Sequence, residues 1–360
     1  MKAHKFEIIL GRIFLVLLSL SLAFFAVELF SRSFLSNVSN YEKIFPKEVT
    51  RSPYPYIMFK GDPNYEKHNS LGYPGQLPQE PKPAGEFRII VLGGSTIYAG
   101  DPPIPVLLEE NFKKNNFPNV KVYNFGVSSA VSGQDLARLV FEVPPYEPDL
   151  IIFYNGGNDI TQPLTCDPRP GYPLDFMVHE NNPLYRSDIH TYPTLWMTAY
   201  GSQTLRYLFP KHFLKKFITL PELREGAGFL SDQWREKIAS SYIDNMVTAS
   251  KVAKGMEIPA VVIFQPVIHF KNKELLTKDE KIHYPSEEDV ALVFDLRARI
   301  LRMAEGSAKT FPDFHFYDES LFYSDNPKYI YRDIIHTTPQ AMGMMADEIF
   351  AKVVDLVKRE

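Results

Sequence analysis

Cysteine is almost absent: Cys166 is the single one in 360 residues. That excludes an internal disulfide and any metal site built from several thiolates. Nothing near Cys166 in the sequence would depress its pKa, so it reads as a bystander rather than a nucleophile. Runs rich in Lys and Arg are missing outside the extreme N-terminus, and the formal net charge is -4. A polyanion would meet no basic field, so nucleic acid is not an expected partner. His179, His190, His212, His269, His283 and His315 show no i, i+4 pairing and no His-Glu-x-x-His pattern, so neither a metal nor another cofactor is predicted. No internal repeat is present. Only one long apolar run occurs, and its position makes it an anchor rather than a lipid-binding surface of the kind a long-chain lipase would need.

That run extends from Ile13 to Val27 and continues through Glu28 to Phe30, after Lys2, Lys5 and Arg12. At about 18 residues it lies near the lower end of what spans a hydrocarbon core. It is longer than the usual apolar region of a cleaved signal peptide, no Ala-x-Ala follows it, and Ala23 and Ala26 have the wrong spacing for one. The expected organisation is a cytoplasmic N-terminus over residues 1–12 and a single-pass transmembrane anchor over 13–30. Three cations before the segment against Arg32 after it place the remainder outside the cytoplasm by the positive-inside rule. Residues 31–86 are rich in Pro, Tyr and Asn without sustained periodicity and read as a linker or strap, with Asn69-Ser70-Leu71-Gly72-Tyr73 as a loop.

From about residue 87 the pattern changes. Ile89-Ile90-Val91-Leu92 is apolar throughout, as expected of a strand covered on both faces of a parallel sheet. Val120–Phe125, Leu150–Tyr154, Ala260–Phe264 and Phe314–Tyr317 read as further strands. Helical spacing falls at Val106–Asn115, Gln134–Phe141, Trp234–Lys254, Glu287–Glu305 and Thr338–Lys358. Strands alternating with helices predict an α/β fold, a parallel sheet with helices on both faces. Residues 161–232 break the rhythm. Dense in Pro and rings (Tyr172, Phe176, Tyr185, Tyr192, Trp196, Tyr200, Tyr207, Phe213), they are an insertion or lid, whose rings are expected mainly to pack on one another.

The first strand ends in Gly93-Gly94-Ser95-Thr96. A phosphate-binding loop would need a Lys where Gly94 stands, and a dinucleotide fingerprint would need glycines where Ser95 and Tyr98 stand. The Gly-x-Ser-x-Gly elbow is broken by Ile97. On this turn alone Ser95 could equally be the cap of the next helix. Three later segments follow strand-like or loop positions in order: Asn124-Phe125-Gly126, Gly156-Gly157-Asn158-Asp159 and Asp333-Ile334-Ile335-His336. A serine, a glycine, an asparagine and Asp-x-x-His in this order resemble the four blocks of the SGNH hydrolase superfamily, the GDSL-like esterases and lipases. The resemblance covers roughly residues 87–358, and its conjunction of blocks is more specific than any one of them. It departs from the commonest first block, Gly-Asp-Ser, by having Gly94 before Ser95.

The resemblance implies a three-layer α/β/α sandwich of flavodoxin-like topology and an acyl-transfer site. Ser95 would be the nucleophile. A serine hydroxyl needs a base within reach, and His336 can accept and return a proton near neutral pH. Asp333, three residues earlier, could hold one imidazole nitrogen protonated; on a helical turn that spacing puts both side chains on one face. The oxyanion donors implied by the resemblance are the backbone N–H of Ser95, the backbone N–H of Gly126 and the side-chain amide of Asn158. Ser128 and Ser129, near Gly126, lack a preceding Gly-Gly turn and read as loop serines. The expectation is a serine esterase acting on O-acetyl esters of envelope or extracellular glycans. Two alternatives remain at this point: a cell-envelope O-acyltransferase using the same residues beside a membrane acyltransferase or acyl-exporting partner, and a non-catalytic glycan-binding protein.

Overall fold

The computed structural model describes residues 2–35, 51–180, 202–208 and 219–357. Most of the rings predicted to pack within the insertion (Tyr185, Tyr192, Trp196, Tyr200, Phe213), with His190 and His212, lie outside these residues. The chain divides into two compact units, residues 1–48 with 177–219, and residues 49–176 with 220–360.

In the first unit, helix α1 (Lys2–Leu35) carries a 23-residue stretch, Ile9–Ser31, of mean hydropathy 2.5, long and apolar enough to cross a membrane. Its one acid in that stretch is not left unpartnered. Glu28 Oε2 accepts hydrogen bonds from Ser202 Oγ (2.7 Å) and Thr204 N–H (3.1 Å), at the start of a short helix, Gln203–Leu208.

The second unit is an α/β sandwich. Strands β1 (Arg51–Tyr54) and β2 (Met58–Gly61) form an antiparallel hairpin. The central sheet contains β3 (Phe87–Gly93), β4 (Val120–Gly126), β5 (Leu150–Asn155), β6 (Ala260–Phe264) and β7 (His315–Asp318). All its pairings are parallel, in the order β4-β3-β5-β6-β7. Numbered within the sheet this is 2-1-3-4-5, the flavodoxin-like order, in which chain direction across the sheet reverses beside its first strand. The carboxyl ends of β3, β4 and β5 therefore open a crevice.

Helices α2 (Ser95–Tyr98), α3 (Ile104–Lys114), α4 (Ser132–Phe141), α5 (Gly157–Thr165), α6 (Asp232–Gly255), α7 (Glu287–Thr310) and α8 (Pro339–Val357) follow the strands. The alternating side chains of β3 decide which helices cover which face. Ile90 and Leu92 join a core with α4, α6 and α7, built around Trp234, Tyr242, Met246 and Leu296. Ile89 and Val91 point the other way, against α3 and α8 through Leu108, Phe112, Met345 and Ile349. Both faces are buried, which accounts for apolar runs without alternation.

Two sequence expectations are modified in detail. The last strand starts at His315 and runs to Asp318, and the helix from Glu287 extends to Thr310. Residues 51–86 are also more than a strap: Tyr73 is fully buried and stacks on Phe125 of β4, with ring centroids 4.3 Å apart. Asn69 builds the turn that delivers Tyr73, its Oδ1 accepting the N–H groups of Leu71 and Tyr73 at 3.0 and 3.1 Å.

Candidate active site

β3 ends by turning directly into α2. Gly94 is the N-cap and offers no side-chain cap, so Ser95 is the first helical residue and its hydroxyl does not cap the helix. Oγ instead lies 2.8 Å from Nε2 of His336. Ser95 is 8% exposed, sunk at the sheet edge yet still reachable.

Asp333 and His336 sit on a loop rather than a helix. The loop is closed by an isolated bridge between Tyr331 and Thr337 and by the Arg332 N–H donating to His336 O (2.8 Å). The three-residue spacing works here through the Asp333 side chain. Its Oδ1 accepts the N–H groups of Ile335 (2.9 Å) and His336 (2.8 Å), while Oδ2 lies 2.7 Å from Nδ1 of the imidazole. A carboxylate at Nδ1 keeps the proton there, so Nε2 faces Ser95 as an acceptor. Burial raises the Asp333 pKa, but the hydrogen bonds from the His336 ring and the two amides outweigh it, and the net value falls to about 2. The His336 imidazole is thus held by a carboxylate that stays ionised near neutral pH.

The three expected oxyanion donors fare differently. The Ser95 N–H is at the first turn of α2, where helical amides have no intrahelical partner. Asn158 stands on α5, launched by Gly156, whose φ of 93° is left-handed. Its Nδ2 donates to Ala130 O at 2.8 Å, and the same nitrogen lies 2.7 Å from where a Cβ on Gly94 would be. The amide is therefore held beside the Gly94-Ser95 turn. Gly126 is not free: its N–H donates to Asn124 Oδ1 at 2.9 Å. A Cβ on Gly126 would meet Tyr98 N at 2.5 Å, so the passage of α2 over β4 by itself requires glycine at this position. Asn124 Nδ2 also donates to Ile97 O (2.8 Å), tying α2 to β4.

The sequence reading gave several neighbours of Ser95 no part in the site. Ser129 adopts φ of 66° in the turn between β4 and α4, its carbonyl accepts Gln162 Nε2 at 2.8 Å, and its N–H meets no partner among the described residues. A left-handed serine carries little sequence signal. Gln265, 2% exposed at the end of β6, accepts Thr96 Oγ1 at 3.1 Å and would touch a Cβ on Gly157, next to Ile335. It packs against the segments carrying Ser95, Asn158 and His336. Asp159, beside Asn158, accepts the N–H and Oγ of Ser132, the latter at 2.5 Å, and so pins α5 to α4. Its burial drives its pKa up to about 7 against the lowering effect of the Ser132 bonds. Arg138, fully buried, donates to Phe125 O and to Gly93 O (3.2 Å), joining the ends of β4 and β3.

No protein-family model matches the chain, and no curated protein sequence does. Among solved structures, the chain is similar to the acetyl xylan esterase AlAXEase at 14% identity, covering 74% of this chain and 100% of that one, with a TM-score of 0.44. An acetyl xylan esterase from Geobacillus stearothermophilus matches at 11% identity, covering 74% and 94%, with a TM-score of 0.41. A protein from Desulfitobacterium hafniense described as lipolytic and of the G-D-S-L family matches at 8%, covering 73% and 98%, with a TM-score of 0.38.

Proposed function

We propose that this chain is a serine ester hydrolase of the SGNH type in which Ser95 forms an acyl-enzyme. The observation that carries the reading is the continuous line from Asp333 Oδ2 to His336 Nδ1 (2.7 Å) and from His336 Nε2 to Ser95 Oγ (2.8 Å). In the first half-reaction Ser95 Oγ attacks the acyl carbon while His336 Nε2 takes its proton. The tetrahedral adduct collapses as His336 returns that proton to the leaving alcohol. Water then repeats the sequence, giving up a proton to His336 and releasing the carboxylic acid and free Ser95.

The negative oxygen of each adduct needs donors already in place. The Ser95 N–H and the second N–H of Asn158 Nδ2 are assigned that role. Gly126, whose N–H is taken by Asn124, is replaced in this scheme by the free N–H of Ser129, in the turn preceding the Ala130 carbonyl that holds Asn158. The apolar stretch of α1 supports a substrate met at a membrane surface, and O-acetyl esters of envelope or extracellular glycans are the class proposed, with the hydrolase domain outside the cytoplasm.

The test is to incubate the full chain in detergent with p-nitrophenyl acetate and a fluorophosphonate probe, beside Ser95→Ala. Steady turnover and labelling, both lost in Ser95→Ala, are expected. A single burst without turnover would favour transfer of the acyl group to another hydroxyl. Absence of labelling would overturn the nucleophile assignment.

A further inference from the structure

A buried ion pair far from Ser95 in sequence holds the loop that carries Asp333 and His336. Lys271 and Glu280 both have fully buried side chains, and Lys271 Nζ donates to both Glu280 oxygens at 2.6 and 2.7 Å. Neither contributes to the chemistry above. Glu280 Oε2 also accepts the N–H and Oγ1 of Thr277, both at 2.9 Å, while Oε1 accepts the N–H groups of Ile330 (3.0 Å) and Tyr331 (3.1 Å) and Lys271 Nζ donates to Lys328 O at 2.7 Å. Ile330 and Tyr331 immediately precede the Arg332–His336 turn.

We propose that Lys271 and Glu280 are positioning residues for the Asp333–His336 pair; the inference rests on the role given to that pair above. The physical reason begins with the loop itself. The chain comes in from exposed Lys328 and Tyr329 to Ile330 and Tyr331, each 1% exposed and outside any helix or strand ladder, and buried amides need partners. A carboxylate can take two adjacent N–H groups on one oxygen, and an ammonium can satisfy a carbonyl while neutralising the carboxylate. The same cradle reaches the loop again where the Ile268 N–H donates to Ile334 O at 3.0 Å. The opposite arm is fixed by Thr338 N–H on Ile330 O (2.8 Å) and by the start of α8. With both arms fixed, the imidazole is held at Ser95; loosening one would let it drift, and a displacement of about 1 Å costs on the order of 10²-fold in rate.

The experiment compares the full chain with Lys271→Met/Glu280→Leu, which removes both charges together and avoids stranding one, and with Glu280→Asp, which keeps the charge but withdraws it from the two amides. Turnover of p-nitrophenyl acetate should fall about 10²-fold in the double variant with KM unchanged. Glu280→Asp should fall less. The downfield proton resonance of His336 Nδ1–H, identified by its loss in His336→Gln, should broaden or vanish in the double variant. Cooperative unfolding with wild-type kcat and an intact resonance would overturn the proposal and leave the pair a purely structural one. Should neither variant fold, hydrogen exchange of the unaltered chain decides: the Ile330 and Tyr331 amides should exchange only with global unfolding, and fast exchange would overturn the proposal. The two readings fail separately. Persistent activity in Ser95→Ala would sink the esterase reading, while the resonance and exchange measurements still report on the ion pair.

Discussion

Gly94 and Asn158 are in such close register that a single carbon on Gly94 would lie 2.7 Å from Asn158 Nδ2. The backbone at Gly94, with φ of −86°, would accept any residue, so what demands glycine is the neighbouring amide. Asn158 cannot retreat freely because Nδ2 is held by Ala130 O at 2.8 Å. Gly94→Ala should therefore displace the amide and lower kcat by about 10²–10³, the range expected for losing one oxyanion donor. Asn158→Ala should do the same. The double variant should be little worse than either single one, because both remove one interaction. Additive losses measured in that cycle would show that Gly94 acts on something other than Asn158.

Asp333→Asn is expected to leave the loop in place, since the Asn Oδ1 can still accept the N–H groups of Ile335 and His336. Its Nδ2 would then face Nδ1 of the imidazole and favour the tautomer with the proton at Nε2, where it cannot act as a base toward Ser95. The expected loss is about 10⁴-fold in kcat with a nearly unchanged melting temperature. In the unaltered protein the depressed Asp333 pKa, about 2, has a stability consequence as well. A carboxyl whose folded pKa lies below its unfolded value contributes stability above the unfolded value, and that contribution is lost as pH falls toward 2. Acid titration followed by circular dichroism should show Asp333→Asn losing less stability than the parent between about pH 4 and pH 2.

The sheet was legible because its strands are buried on both sides: Ile89–Leu92, Leu150–Tyr154 and Ala260–Phe264 stand out as unbroken apolar runs. Their order is not written in any local pattern, since it depends on which helices cover which face. Ser95, Asn158, Asp333 and His336 could be singled out because each stands at the end of a recognisable segment. The reasons for two positions were not legible. Gly126 is dictated by the passage of α2 over β4, a contact between residues 28 apart. The Asp333–His336 spacing is realised through two side-chain-to-amide bonds in a loop, where the sequence suggested a helical turn. Tyr73 was hidden for a different reason. One tyrosine among several in a proline-rich stretch has no periodicity to mark it as core, yet it fills the space over Phe125.

Asp159 gives the opposite pH behaviour to Asp333. Burial raises its folded pKa to about 7 from an ordinary 3.8, so between these values the folded state holds a proton that the unfolded state has released. Stability should therefore fall as pH rises from about 4 to 7 and level off above. Asp159→Asn removes the titrating group but keeps an Oδ1 that can accept the Ser132 N–H and Oγ, and its melting temperature should be flatter across that window, with an offset from the amide that replaces Oδ2 beside the Ser132 N–H. Differential scanning calorimetry at pH 5 and 8 on both proteins separates the slope from the offset. Equal slopes would mean that Asp159 does not titrate in this range.

Gly126→Ala separates packing from chemistry. Were Gly126 an oxyanion donor bared for substrate, adding a methyl group would chiefly damage turnover. The structure places that methyl against Tyr98 N at 2.5 Å and Tyr98 Cα at 2.9 Å, both backbone atoms that cannot swing aside. Overpacking of this kind costs roughly 1–3 kcal/mol. The clash would push α2 away from β4 and strain the Asn124 bridge to Ile97 O. The expected outcome is a melting temperature lowered by several degrees, with kcat reduced in proportion to the disturbance of Ser95 and KM little changed. Asn124→Ala should reproduce the loss of stability without the clash, because the same helix loses its tie to β4. A Gly126→Ala protein with the parent's melting temperature but no turnover would return Gly126 to the oxyanion site and remove Ser129 from it.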